Sequence, residues 1–347
     1  MKKIFSIFLI VFILTSCINK EKVSDEVKQS SGLKSYTVKD FFPFHPDRRM
    51  KYEGIGNEYA EKEVLVDYIA GDRIQLRTIN PGTEMVQVYE IKNGELRIVY
   101  YEGEVYYRDK FIDMNNDKSE ILLKEPLQVG TQWYINDGRK RYISSINKKI
   151  KLPFGEVEAL EVTTEGKDYK TYDYYAYKLG HVKSVFESGE MKIETNLETI
   201  EEKAVLTKKV KIYYPDYNKD RIVYKWETVD FSTNDTIKDK LEYFFKKPPY
   251  ENLSKILGEN TKINNMYFNS NDNVAYVDLS KEFISELNVG AGLEGDILQS
   301  LVNTVGEYYN CERVSITIEG SPYESGHISL EDKNPVKVEK KNTIEIK

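Results

Sequence analysis

The chain has 347 residues, a net charge of −7 at pH 7 and two cysteines. Its length suffices for a sizeable hydrophobic core and suggests more than one domain. The acidic balance, without any concentrated basic patch, argues against nucleic acid as a partner.

The N-terminus has the pattern of a secretory signal. Lys2 and Lys3 precede an apolar run over residues 4–14, which is shorter than the roughly 20 residues of a membrane-spanning helix. Small residues follow just before Cys17, an arrangement that resembles the lipobox of bacterial lipoprotein signal peptides. The resemblance implies removal of residues 1–16, acylation of the Cys17 thiol and anchoring in the lipid bilayer outside the cytoplasm. The alternative is an ordinary signal peptide with a chance cysteine.

The next part of the chain divides into a tether and a β-rich domain. Residues 17–35 are rich in charged residues and serine, which predicts a disordered tether. Residues 36–200 contain short runs of alternating apolar and polar residues bounded by turn residues. This pattern predicts an antiparallel sheet or open barrel of about eight to ten strands. Residues 96–108 are predicted to form a hairpin that closes at Glu102 and Gly103.

The pattern changes after residues 201–208, a polar segment that is predicted to be an exposed linker. The later residues predict two helices that pack on one face of a small mixed sheet. The predicted helices cover residues 236–247 and 294–309, and the predicted strands cover residues 210–216, 262–269, 274–279 and 313–319. The charged tail over residues 331–347 is predicted to fray.

Three segments of this second part resemble the GerMN domain of sporulation and spore-germination proteins in Gram-positive bacteria. They are "VAYVDLSKEF" (residues 274–283), "GLEGDILQSLVNTVGEY" (residues 292–308) and "RVSITIEG" (residues 313–320). The resemblance covers residues 209–330. It implies a small α/β module like those that build rings, which associates sideways through helix faces and sheet edges and has no known catalytic activity. The predicted fold class is therefore α+β, with a β-rich domain followed by this module.

The sequence contains no recognisable catalytic or metal-binding motif. The three histidines are far apart, and no phosphate-binding glycine loop or activated serine motif is present, so we predict no catalytic residue, metal or cofactor. His327 is interpreted as a histidine of a loop or strand edge. Cys311, which has no disulfide partner if Cys17 is acylated, is interpreted as a buried structural cysteine.

These observations predict a membrane-anchored, non-catalytic lipoprotein of the cell envelope that acts as a binding or assembly component in sporulation or germination. Its partners are predicted to be other envelope or sporulation proteins, or further copies of itself. The candidate interaction surface is the polar face of the long helix, opposite the core residue Leu301, and comprises Gln299, Ser300, Asn303 and Glu307.

Two alternatives remain open. In the first, the protein carries a lipid or a glycan in the N-terminal β domain, which a deep apolar cavity in that domain would favour. In the second, the protein is a cell-wall hydrolase, which requires two positioned carboxylates in a cleft.

Overall fold

The computed structural model describes residues 36–117, 119–330 and 335–347. The predicted signal peptide, Cys17 and the tether lie outside these residues and stay predictions. Within the described residues, no helix is long and apolar enough to cross a membrane.

The N-terminal part is a twelve-stranded antiparallel sheet preceded by a short helix, α1 (Val38–Phe41). Each strand pairs with its neighbours in sequence, except that the first pairs with the last and the sixth does not pair with the seventh. The strands are β1 (Arg48–Ile55), β2 (Lys62–Ala70), β3 (Arg73–Ile79), β4 (Glu84–Lys92), β5 (Glu95–Gly103), β6 (Glu120–Lys124), β7 (Gln132–Tyr134), β8 (Lys140–Leu152), β9 (Gly155–Glu165), β10 (Lys170–Ala176), β11 (Gly180–Ser188) and β12 (Met191–Glu202). The sequence predicted fewer strands because β6 and β7 are too short to show alternation.

Side chains hold the two edge strands, β6 and β7, close together. Trp133 of β7 donates its indole N–H to the carbonyl oxygen of Ile121 in β6 over 3.0 Å. Arg141 of β8 donates to the same oxygen over 2.6 Å and forms an ion pair with Glu120 over 2.7 Å. The sheet therefore curls until its edges meet through side chains, without backbone pairing between them.

The predicted hairpin over residues 96–108 is wrong. The chain leaves the sheet after β5 because Glu104 adopts a left-handed conformation with φ 60°, and no strand follows until β6. Arg77 holds the departing chain by donating to the carbonyl oxygens of Val105 and Tyr107 over 2.6 and 2.8 Å. The segment then buries Arg108 completely.

The C-terminal part has two smaller sheets and three helices. A long hairpin of β13 (Leu206–Asp216) and β14 (Arg221–Phe231) forms one sheet with β20 (Ile344–Glu345), which lies parallel to β14. The second sheet contains β15 (Ile263–Asn269), β16 (Val274–Leu279), β17 (Arg313–Ile318), β18 (Ser321–Pro322) and, paired with β17, β19 (Val336–Lys337). The helices are α2 (Ile237–Lys246), α3 (Glu282–Glu286) and α4 (Ala291–Tyr309). The sequence analysis did not predict β14.

Helix α4 packs against strands of both smaller sheets, including β13 and β17. Its buried residues Leu301 and Val305 join a core that also contains Ile212 of β13 and Phe245 of α2. The predicted arrangement of two helices on one face of a single sheet is therefore corrected, because the strands divide into two sheets around α4. This position explains why every one of residues 300–306 of α4 is buried.

The chain passes between the two parts over residues 203–205, a shorter connection than the predicted linker. Ala204 and Leu206 are buried, and the N–H of Ala204 donates to the carbonyl oxygen of Asp47 over 2.8 Å. Whether residues 36–200 and 209–330 fold independently stays a prediction.

The prediction that the tail frays is wrong for residues 335–347. Its strands β19 and β20 pair with β17 and β14, and Val336, Val338 and Ile346 of the tail pack against the core.

Candidate functional site

The curled twelve-stranded sheet lines a cavity of about 450 Å³ that is partly open to solvent. Strands β1 to β4 form one wall, and β10 and β11 form the other. The apolar and aromatic lining is Phe42, Met50, Tyr52, Tyr59, Val64, Val66, Ile74, Leu76, Met85, Tyr89, Leu122, Tyr175 and Leu179. The charged or ionisable polar lining is His45, Arg48, Lys62, Asp173 and His181. A mixed lining of this kind is typical of a small-molecule site, in which apolar surface binds the ligand body and a few polar groups orient it.

The acidic group of the cavity is Asp173 of β10, which pairs with His181 of β11. The Nε2 atom of His181 lies 3.1 Å from Oδ1 of Asp173. Burial alone would raise the pKa of Asp173, but the hydrogen bond and positive charge of His181 outweigh it, so this pKa lies below its usual value. The hydroxyl of Tyr52 donates a hydrogen bond to the carbonyl oxygen of His181 over 2.8 Å and so holds β11 at this position. Asp173 is therefore an ionised carboxylate at neutral pH that already has a partner.

Lys62 supplies a cation without a carboxylate partner. Its ammonium lies 5.1 Å from the centroid of the Tyr52 ring and forms no ion pair with any residue that the structure describes. Burial lowers the pKa of Lys62, and the charge of Asp173 opposes this shift in part. Burial also raises the pKa of Tyr89 and of Tyr175, so both hydroxyls stay protonated hydrogen-bond donors at neutral pH.

The side chains that line the cavity are suited to binding a ligand. Among its described lining residues, Asp173 is the single carboxylate, so the cavity does not supply the pair that the hydrolase alternative requires. Throughout the described ranges, no three histidine, cysteine or acidic side chains lie together as a metal site. Cys311 lies elsewhere and is buried, which confirms its interpretation, and burial raises the pKa of its thiol.

The predicted interaction surface on α4 is not exposed. Ser300 and Asn303 are completely buried, and residues of the C-terminal tail contact Gln299 and Asn303. The side-chain amide of Asn303 donates to the carbonyl oxygen of Glu339 over 2.7 Å and accepts from its N–H over 2.9 Å. Gln299 donates to the carbonyl oxygen of Lys337 over 3.1 Å. The exposure of this face was therefore predicted wrongly, since the sequence did not show that the tail would pack there.

The fourth residue of that face, Glu307, is also engaged within the chain. It forms ion pairs with Lys211 of β13 over 2.8 Å and with Lys340 of the tail over 2.7 Å. Burial would raise the pKa of Glu307, but its hydrogen bonds to the two lysines outweigh burial and hold it below the usual value. A charge reversal at this position would place three cations together, so it is not a silent surface change.

His327 has a more specific place than the sequence indicated. Its Nδ1 atom lies 3.0 Å from Glu294, a buried carboxylate in the first turn of α4 that also accepts hydrogen bonds from Tyr323 and Ser325. Burial would raise the pKa of Glu294, but the hydrogen bonds from Ser325, His327 and Tyr323 outweigh it and lower this pKa. The cluster joins the loop after β18 to α4. In the sequence, only the close spacing of Ser325 and His327 in "SGHIS" indicated that these two side chains could share a partner.

The C-terminal part matches a known family model. Residues 211–324 match the Germane family, which is described by its role in sporulation and spore germination. This part is a GerMN-like region, as the sequence motifs indicated, and the match covers less than half of the chain. No curated protein sequence matches the chain at a significant level.

Three solved structures are similar to parts of the chain. The tandem GerMN domains of the sporulation protein GerM from Bacillus subtilis are 18% identical, with a TM-score of 0.29 over 38% of this chain, which spans 46% of that structure. A candidate exported protein with a YmcC-like fold from Bacteroides fragilis is 12% identical, with a TM-score of 0.30 over 47% of this chain and 99% of its own. A candidate lipoprotein from Parabacteroides distasonis is 14% identical, with a TM-score of 0.30 over 46% of this chain and 98% of its own.

Proposed function

We propose that the protein is a non-catalytic component of the cell envelope that binds a small ligand in the cavity of its twelve-stranded sheet and acts in sporulation or germination. The cavity carries the ligand-binding part of the proposal. A volume of about 450 Å³ is in the range of small-molecule sites, and its lining combines aliphatic, aromatic and charged groups. The family description of residues 211–324 supports the part on sporulation or germination.

A cavity-filling variant tests the proposal. The neutral dye N-phenyl-1-naphthylamine, which fluoresces in apolar surroundings, is expected to bind the wild-type chain from residue 36 onward. Val64→Phe adds a ring to the cavity wall and should weaken binding by about tenfold, because overpacking a filled site costs about 1–3 kcal/mol. Lys51→Phe is the matched control, since it adds the same ring at an exposed position of β1. If the two variants bind the dye with equal affinity, the cavity is not the ligand site.

Anchoring through Cys17 is part of the same proposal. Cys17→Ala removes the thiol that would be acylated, so the protein should move from the detergent phase to the aqueous phase on Triton X-114 partitioning. Labelling with a fatty-acid analogue should be lost at the same time. A variant that is still labelled and still partitions into detergent would show that another residue carries the lipid.

Association through the GerMN-like region is a second candidate function. The observation that favours it is the free edge of the second sheet, where β15 has no strand on its outer side among the described residues. Tyr267 of this strand is exposed and stacks on Tyr276 with their ring centroids 5.1 Å apart. Partners would be other envelope or sporulation proteins, or a second copy. The polar face of α4 would be available to them only after the tail leaves it.

A further inference from the structure

Several hydrogen-bond donors of the cavity lack an acceptor among the described residues. The hydroxyls of Tyr89 and Tyr175 and the ammonium of Lys62 have no hydrogen-bond acceptor among the residues that the structure describes. The carboxylate of Asp173, by contrast, already accepts from His181. At the cavity wall, Nε2 of His45 also lacks a partner within the described residues. The two hydroxyls and the ammonium face the cavity, where a ligand that brings acceptor atoms can replace the water that they otherwise bind.

The charged groups that line the cavity also favour a ligand with acceptor atoms, and specifically one with a negative charge. Arg48 is neutralised by an ion pair with Glu202, and His181 is paired with Asp173. Lys62 remains as the one lining lysine or arginine that forms no ion pair with a described residue, although Asp173 is close enough for its charge to raise the pKa of Lys62. A cation that is partly removed from water and unpaired is stabilised by an anion that enters with the ligand. The charge that the ligand should supply is therefore negative.

The rest of the lining determines what the anionic group is attached to. Val64, Val66, Ile74, Leu76 and Leu122 form an apolar wall of the same cavity. A fully hydrated polyanion would lose its water shell against this wall without compensation, whereas an apolar or aromatic body would gain from burial. The ligand that fits both regions is an amphiphile with one anionic group.

We therefore propose, on the basis of the ligand site proposed above, that the cavity selects an organic monoanion with an apolar body, and that Lys62 binds its anionic group. The relevant chemistry is a carboxylate, sulfonate or phosphate ester on an aliphatic or aromatic framework. Tyr89 and Tyr175 donate hydrogen bonds to the same oxygens. The aliphatic lining residues hold the body of the ligand.

Two dyes that differ by one charge test the selectivity. 1-Anilinonaphthalene-8-sulfonate and N-phenyl-1-naphthylamine share the same aromatic body, but only the first carries a sulfonate. Lys62→Met should weaken binding of the sulfonate about tenfold or more, because it removes a charge-assisted hydrogen bond, and should leave binding of the neutral dye within about twofold. Lys62→Arg should restore most of the affinity for the sulfonate. Displacement of the sulfonate by decanoate, but not by decanol, would extend the result to carboxylates.

The matched control is Lys51→Met, which removes the same charge from the exposed face of β1. It should change neither affinity, which separates a local contact from the effect of net charge. All variants are compared by thermal melting, and Tyr89→Phe gives a second, milder change in the cavity. If the neutral dye binds but Lys62→Met affects both dyes equally or neither, the anion proposal is wrong and the ligand site stands. If neither dye binds the wild-type protein in the cavity, both proposals fail.

Discussion

Replacing Arg108 with methionine is expected to lower the free energy of unfolding by about 3–5 kcal/mol, the cost of removing one partner from a buried ion pair. Arg108 is completely buried and pairs with the equally buried Asp67 over 3.1 Å. Its guanidinium also donates to the carbonyl oxygens of Asp67, Ser232 and Asp235 over 2.6–3.1 Å. Methionine satisfies none of these acceptors, and their desolvation is then uncompensated.

The aromatic residues around Arg108 add to the expected loss. The guanidinium carbon lies 4.8 Å from the ring centroid of Tyr68 and 5.1 Å from that of Phe231. Such contacts stabilise most when the cation is desolvated, as it is here. Arg77 lies 3.1 Å from the other oxygen of Asp67, so the carboxylate keeps one partner in the variant. This remaining pair is why the expected loss is not larger.

Urea unfolding followed by circular dichroism measures the effect. Arg139→Met is the control, because Arg139 pairs with Asp137 near the surface, where an ion pair contributes about 0–1 kcal/mol. A loss at Arg108 no larger than that of the control would show that the buried network does not stabilise the fold. The same titration tests the predicted independence of residues 36–200 and 209–330, because independent units unfold in separate transitions.

Local patterns in the sequence predicted the elements whose structure depends on near neighbours. The apolar spacing between Ile297 and Tyr308 predicted α4, which begins at Ala291, three residues before the predicted start, and ends at Tyr309 as predicted. The alternation on either side of residues 270–273 predicted β15 and β16 to within one residue. These features depend on hydrogen bonds within a helix or across one turn. The order of residues alone therefore contains most of the information.

Features that depend on distant contacts were not predictable in the same way. Arg108 stands in an alternating run that indicated a hairpin, and it is buried only because Asp67 and Ser232 meet it from far along the chain. Asn303 has the position of a surface residue on α4 until the tail, more than thirty residues later, covers it. Curling of the sheet brings Lys62 and Asp173 into one cavity. For the burial of Arg108, the covering of Asn303 and the formation of the cavity, the neighbouring residues in the sequence do not indicate which distant residue makes the contact.

Leu301→Ala is expected to lower the free energy of unfolding by about 2–5 kcal/mol, because it removes apolar contacts and leaves a cavity that the surroundings fill only in part. Leu301 is completely buried at the centre of α4, in the core that joins this helix to the strands of the C-terminal part. Val129→Ala is the control, because Val129 is 60% exposed and its truncation should change stability by less than about 0.5 kcal/mol. Denaturant titrations of both variants give the comparison. Because the cavity of the twelve-stranded sheet contains no residue of α4, Leu301→Ala should leave dye binding unchanged in the folded protein. A loss of dye binding at temperatures where the variant is still folded would contradict this separation between the core of the GerMN-like region and the ligand site.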